Sequence, residues 1–323
     1  MQTVVELSTS EYLEPVKRAL IARGCWVEVY YDSENEIPSL LIKAGSAPLE
    51  DSELLSIEGI RSFKRARTVC KKVEAQAGML AFGSGLPIIA GPCAVESLER
   101  LDEIAGRLKS LGIEWIRGGA YKPRTSPYSF QGHGPAGLKW LEEVARRHQL
   151  SVVTEVMSEF DVEAVSRSAT WLQIGARNMQ NFSLLKRVGD IGRPVLLKRG
   201  PSATLDEWMA SGEYLLASGA ERVIFCERGV RGLSGPTRNT LDLATAVHVK
   251  TTLGQPVIVD PSHATGRRDL VVPLSKAAIA AGVDGVMVEV HPDAGDALSD
   301  GAQALDFEGL AALVAWLESG TVK

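Results

Sequence analysis

The segment Gly118-Gly-Ala-Tyr-Lys-Pro-Arg-Thr-Ser-Pro-Tyr-Ser-Phe-Gln-Gly132 gathers two cations, several hydroxyls, two prolines and glycines into one stretch. Such a loop suits an anion, because ammonium and guanidinium groups donate charged hydrogen bonds while proline limits the freedom of the backbone. It follows a short apolar run, Trp115-Ile-Arg117. Upstream, Pro87-Ile-Ile-Ala-Gly-Pro-Cys-Ala-Val-Glu-Ser97 reads as another strand ending in a compact polar turn.

The elements that must hold these loops are apolar strands alternating with amphipathic helices from Pro87 onward, the pattern of parallel β/α architecture. Eight strands are expected: Pro87 to Ala90, Trp115 to Arg117, Ser151 to Val156, Trp171 to Ile174, Pro194 to Lys198, Arg222 to Cys226, Pro256 to Asp260 and Gly285 to Val290. Buried Val, Ile and Leu in eight strands, with no GxGxxG after the first, favour a closed (β/α)8 barrel over an open dinucleotide-binding sheet. Active sites of such barrels lie at the C-terminal ends of the strands.

Two polar groups collect there. One is cationic: Arg117, Lys122, Arg124, Arg177, Lys198, Arg199 and Arg228. A lone arginine is more often a surface or ion-pair residue, but four strand ends agreeing suit a small ligand carrying several negative charges. The other group is Cys93, His263 in Asp260-Pro-Ser-His263, Glu289, and Asp300 in Ser299-Asp-Gly301. A lone cysteine near a strand end is usually a small buried hydrophobe. Yet one sulfur, one imidazole and two carboxylates on strands that adjoin when a barrel closes can surround a divalent cation, without choosing among manganese, iron, cobalt and zinc. Glu155, Gln173 and Asp260 are placed to orient ligands or simply to fill the interior; His133, His148 and His248 read as solvated, His291 as a neighbour of Glu289, and Cys226 as packing.

Residues 1–75 follow a different plan. Strands at Thr3–Leu7, Trp26–Tyr31, Ser39–Lys43 and Ile60–Arg65, with helices at Ser10–Arg23 and Leu49–Ile57, give the βαββαβ order of a ferredoxin-like domain. The polar stretch Lys71–Gly78 reads as a linker to a barrel over 76–323. The 323 residues, 45% hydrophobic and 23% charged, leave ample material for a core. A net charge of -5 argues against a nucleic-acid or anionic-membrane surface, and four scattered cysteines without CxxC spacing indicate neither a disulfide framework nor a zinc knuckle. With no membrane-length apolar run and no signal-peptide pattern, a cytoplasmic location is expected.

The two segments quoted first closely resemble the signatures of 3-deoxy-D-arabino-heptulosonate 7-phosphate (DAHP) synthases, in the short form with a small N-terminal domain, and the resemblance extends from about Leu86 to the C-terminus. It implies a metal-dependent barrel that condenses phosphoenolpyruvate with erythrose 4-phosphate, opening the shikimate route to aromatic amino acids. It further implies that Arg117, Lys122, Arg177, Lys198 and Arg228 hold phosphoenolpyruvate, that Pro123, Arg124 and Thr125 meet the aldose with its phosphate on Arg124 and Thr125, and that Cys93, His263, Glu289 and Asp300 ligate the metal. Cys93, His263 and Asp300 are thereby catalytic, and Lys122 is read as the proton carrier near the reacting carbons. Relatives with a similar small domain are inhibited by tyrosine or phenylalanine, so an aromatic effector and a dimeric or tetrameric assembly are expected. Two rivals are weighed: 3-deoxy-manno-octulosonate 8-phosphate synthase, whose loop typically reads Lys-Ala-Asn-Arg where this chain has Lys122-Pro-Arg-Thr125, and an amino-acid-sensing protein with an inactive barrel, which loss of a cation or metal ligand would have favoured.

Overall fold

The structure, a computed structural model, describes residues 2–31, 36–43, 45–66, 70–83, 87–122, 126, 128–232 and 235–319. They divide into two compact units, Met1–Lys71 and Lys72–Lys323. In the first, β1 (Gln2–Leu7), β2 (Val27–Tyr30), β3 (Ser39–Ile42) and β4 (Ile60–Ala66) form an antiparallel sheet in the order β2-β3-β1-β4. Helices Leu13–Ala22 and Asp51–Leu55 complete the βαββαβ sequence. Period-two alternation puts Val5, Leu7, Leu40 and Ile42 on one face, where they pack with the helical Val16, Leu20 and Leu54.

The stretch Lys71–Gly78, read as a linker, opens instead with a short helix, Lys71–Ala75. Its polarity serves attachment to the barrel. The buried Gln76 amide donates to Val223 O (3.0 Å) and Gln255 Oε1 (2.8 Å) and accepts from Val223 N (3.0 Å). The Glu213 carboxylate accepts from the backbone N–H groups of Lys72 and Val73 at 3.0 and 2.9 Å. Buried polar groups satisfied in this way read in a sequence like solvated ones.

The second unit is a closed parallel barrel of β5 (Ile88–Gly91), β6 (Trp115–Arg117), β7 (Ser151–Glu155), β8 (Trp171–Ile174), β9 (Val195–Lys198), β10 (Val223–Glu227), β11 (Val257–Val259) and β12 (Gly285–Glu289). Closure is made by β12 on β5, with Met287 opposite Ile89 and Glu289 opposite Gly91. Several outer helices begin at side-chain caps: Ser97, Asn181, Asp242 and Asp306 accept N–H bonds from the first turn, and Thr204 forms a reciprocal box with Glu207. No helix among the described residues is long and apolar enough to cross a membrane.

Strand alternation explains how a dry barrel carries a charged mouth. Ile89, Val153, Trp171, Leu196, Ile258 and Met287 fill the interior, with Trp115 packed against them. Two residues on, toward the C-terminal ends, the same inward faces present Gly91, Glu155, Gln173, Lys198, Asp260, Glu289 and Arg117. One turn of the pleat separates core from chemistry. On β10 the second position is again apolar, Cys226, and Arg228 follows two residues later.

Candidate active site

The C-terminal mouth is a cavity of about 920 Å³ whose lining includes Arg117, Lys122, Arg177, Lys198, Arg228 and His263. The cations that sequence spacing had collected on separate strands therefore do converge, with two differences. Arg199 turns away to bind Glu227 (3.0 Å) and Asp242 (2.9 Å) behind the wall. Arg231 and Arg238, unmarked by any strand end, join the lining from the loop after β10. Pro123, Arg124 and Thr125 lie outside the described residues.

Backbone placement comes first. β5 ends at Gly91 with φ 148°, where an added Cβ would stand 2.1 Å from Arg117 O; only glycine lets β5 and β6 run this close before the turn to Cys93. Gly175 keeps similar room for Glu155, whose Oε1 lies 1.9 Å from where a Cβ would be. Asp260 caps the one-turn helix Pro261–Thr265 by accepting from His263 N at 2.9 Å, with proline at the first helical position, and so fixes where the imidazole stands. Asp300 sits in the left-handed region, φ 56°, which Asp tolerates better than most residues.

Four donor atoms result, one each from Cys93, His263, Glu289 and Asp300, all within 4.8 Å of one another. Cys93 Sγ lies 2.9 Å from Asp300 Oδ2 and 4.0 Å from His263 Nε2, and His263 Nε2 lies 3.1 Å from Glu289 Oε1. An ion about 2.0–2.3 Å from each of its donors spreads them over at most roughly 4.6 Å, close to what is seen. The chemistry fits as well. Burial pushes the Cys93 thiol up to about 12, reinforced by Glu289, so its thiolate calls for a cation. Burial likewise holds His263 below its usual range despite Asp260 and Glu289, leaving it neutral as a ligand must be. Burial opposes ionisation of Glu289, but His263 and Arg117 outweigh it, and its carboxyl lies below the ordinary range; Asp300 is lowered too, against burial, by the Cys93 hydrogen bond and His263.

Around this cluster the cations are held by buried partners. Arg117 NH1 donates to Glu289 Oε1 at 2.9 Å, and the other carboxylate oxygen accepts from Gln303 Nε2 at 2.6 Å. Among the described residues Arg117 Nε is buried with no partner, a donor suited to an arriving anion. Lys122 Nζ lies 3.0 Å from Cys93 O and 2.8 Å from Cys93 Sγ, and Lys198 Nζ lies 2.5 Å from Asp260 Oδ2. With its amide turned so that the oxygen faces the guanidinium, Asn239 accepts from Arg228 NH1 at 3.0 Å. Glu155 and Gln173 face the same mouth.

The remaining candidates fall outside it. His148 binds Asp102, and the exposed His133 rests between Phe130 and Trp140. His291 is buried against Glu96 (3.2 Å), whose other oxygen accepts from Leu298 N (2.8 Å), tying the loop that carries Asp300 to the turn that carries Cys93. His291 was marked by its place beside Glu289, but its partner Glu96, like Gln303, left no sequence signal, because neither lies at a strand end.

Residues 68–322 match the model of the family described as DAHP synthetase I. Over 232 residues the chain is 53% identical to the phospho-2-dehydro-3-deoxyheptonate aldolase of Thermotoga maritima, covering 72% of this chain and 69% of that one. A 2-dehydro-3-deoxyphosphooctonate aldolase of Methylibium petroleiphilum is 33% identical over 259 residues, 72% of this chain and 89% of the relative. Among solved structures, the DAHP synthase of Thermotoga maritima superposes with a TM-score of 0.76 at 39% identity, covering 98% of this chain and 96% of that one. A truncated form from the same organism gives 0.67 at 47% identity, covering 72% and 86%.

Proposed function

The chain belongs to the DAHP synthetase I family, and on that premise we infer how its mouth condenses phosphoenolpyruvate with erythrose 4-phosphate and water to give DAHP and phosphate. The observation that carries the reading is one cavity in which a ring of cations adjoins four metal-type donors. Relatives that act on the longer octulosonate are more distant, at 33% identity against 53%, so the eight-carbon alternative is not favoured. The inactive-barrel alternative lacks its expected sign, since among the described residues every predicted cation but Arg199, and every predicted ligand, is present at the mouth.

Phosphoenolpyruvate carries charge on both its carboxylate and its phosphate, and Arg117, Lys122, Arg177, Lys198 and Arg228 are assigned to it. Arg124 and Thr125 are assigned to the aldose phosphate. Held this way, C3 of phosphoenolpyruvate attacks the aldehyde carbon, water adds at C2, and the C–O bond to phosphate breaks, releasing inorganic phosphate. Cys93, His263, Glu289 and Asp300 would hold a divalent ion, which when bound would supply Lewis-acid polarisation of the aldehyde oxygen. Lys122, beside Cys93, is assigned proton delivery to the oxygen that was the aldehyde. Arginines at the phosphate neutralise the charge that develops as it leaves.

For the small domain we infer a binding role for tyrosine or phenylalanine in a dimeric or tetrameric enzyme, effective only if the ligand binds one arrangement more tightly than another. A cytoplasmic setting is in keeping with four buried cysteines, none of them in a disulfide. The test of the reaction follows phosphoenolpyruvate consumption with erythrose 4-phosphate and with arabinose 5-phosphate, before and after chelation. The expected result is a higher kcat/KM for erythrose 4-phosphate and loss of turnover on chelation. A preference for the pentose would overturn it. Inhibition by tyrosine or phenylalanine should vanish when the small domain is removed; an intact enzyme indifferent to both refutes the regulatory role.

A further inference from the structure

The two halves of the mouth, anion ring and donor cluster, meet at one side chain. Asp260 is fully buried at the end of β11, and its two oxygens serve three donors. Oδ1 accepts from His263 N at 2.9 Å. Oδ2 lies 2.8 Å from His263 Nδ1 and 2.5 Å from Lys198 Nζ. Because a carboxylate only accepts, Nδ1 must carry the hydrogen, which leaves the lone pair on Nε2, the nitrogen facing Cys93 and Glu289. The same oxygen anchors an ammonium that is itself 4% exposed and lines the anion cavity.

We propose that Asp260 is a positioning residue shared by both substrate-handling halves of the site: one carboxylate fixes the tautomer and angle of the metal-binding imidazole and simultaneously aims Lys198 at the anion. This rests on the reading of the site given above and adds a dependence that neither half shows alone. Its loss weakens two separate ligands at once. Outer carboxylates of this kind change metal affinity about 10–100-fold. Among the described residues nothing substitutes for it: Asp260 is the partner of His263 Nδ1 and the ion-pair partner of Lys198.

Two variants separate positioning from mere helix capping. Asp260→Asn keeps the shape but offers one acceptor oxygen and an NH2 group, which opposes both the Nδ1–H tautomer and the ammonium. Asp260→Ser keeps a capping oxygen for the helix at Pro261 while losing reach to the imidazole and to Lys198. Binding of Co2+ is titrated to chelated protein, and binding of phosphoenolpyruvate is followed by tryptophan fluorescence in the chelated protein, so that each ligand is read without turnover. Melting temperature is recorded beside them. The expected result is at least tenfold weaker binding of both Co2+ and phosphoenolpyruvate in the folded variants. Lys198→Met supplies the control: phosphoenolpyruvate binding falls while Co2+ binding stays within about threefold of wild type, as expected if the carboxylate alone orients the imidazole. Wild-type affinity for either ligand in Asp260→Ser overturns the proposal, and so does loss of Co2+ in Lys198→Met equal to that in Asp260→Ser. A wild-type enzyme without activity on erythrose 4-phosphate would sink the reaction assignment instead, a result separable from either of these.

Discussion

Arg117→Met isolates the energetic role of the pair that joins cation ring and donor cluster. Arg117 NH1 and Glu289 Oε1 are 2.9 Å apart, with side chains 5% and 1% exposed, so neither charge reaches water. Burial works against the Arg117 charge, yet Glu289, Cys93 and Asp260 outweigh it and raise its affinity for the proton above the ordinary range. Methionine fills similar space without charge, leaving the Glu289 carboxylate with the Gln303 amide as its hydrogen-bond donor. Removing one member of a buried pair costs about 3–5 kcal/mol, and the surviving Gln303 hydrogen bond places this case near 3. At about 2–4 °C per kcal/mol for a domain of this size, the chelated variant should melt roughly 6–12 °C below wild type. With a divalent ion on Glu289 the orphaned carboxylate regains a positive neighbour, so the loss should shrink to less than half. Thermal unfolding of both proteins, chelated and metal-loaded, measures all four values. A chelated variant within about 2 °C of wild type, or an equal loss with and without metal, refutes the reasoning.

Cys93→Ala should fail to retain stoichiometric metal by elemental analysis and should lose turnover while staying folded; full metal occupancy with ordinary activity would remove Cys93 from the site. Arg177→Ala, at the cavity rim after β8, should raise KM for phosphoenolpyruvate far more than for erythrose 4-phosphate, and a selective rise for the aldose contradicts its assignment. A truncation starting at Lys72 should unfold in urea much as the intact barrel does, whereas one starting at Gly78 leaves the buried Gln255 amide and Val223 backbone without Gln76, at about 1–3 kcal/mol for each unpaired group. Equal urea midpoints for the two truncations would show that the Gln76 contacts carry no stability.

How far the sequence reached follows from the range of its signals. Period-two and period-3.6 patterns are local, so the eight barrel strands and the βαββαβ unit were legible within a residue or two at their ends. Lys198 and Glu289, picked out in the sequence at strand ends, point inward in the structure, each two residues beyond a core position, Leu196 and Met287. Barrel closure then makes β5 and β12 neighbours, which is why Cys93 and Glu289 were expected together. What spacing left open was partnership. Arg199 and Lys198 are consecutive cations at one strand end, yet side-chain alternation sends one into the mouth and the other to Glu227 and Asp242. The polar stretch Lys71–Gly78 looked solvated because composition does not distinguish an amide bound to water from one bound to Val223 and Gln255. Gln303 on Glu289 and Glu96 on the Asp300 loop are contacts across 14 and 195 or more residues of chain, set by how loops fold over the rim rather than by any repeat. By itself the sequence determined which residue types face the mouth, because backbone periodicity decides that within a strand. Only the tertiary structure decided which charges neutralise one another and which remain for the substrate, because pairing depends on distances between loops that the chain brings together last.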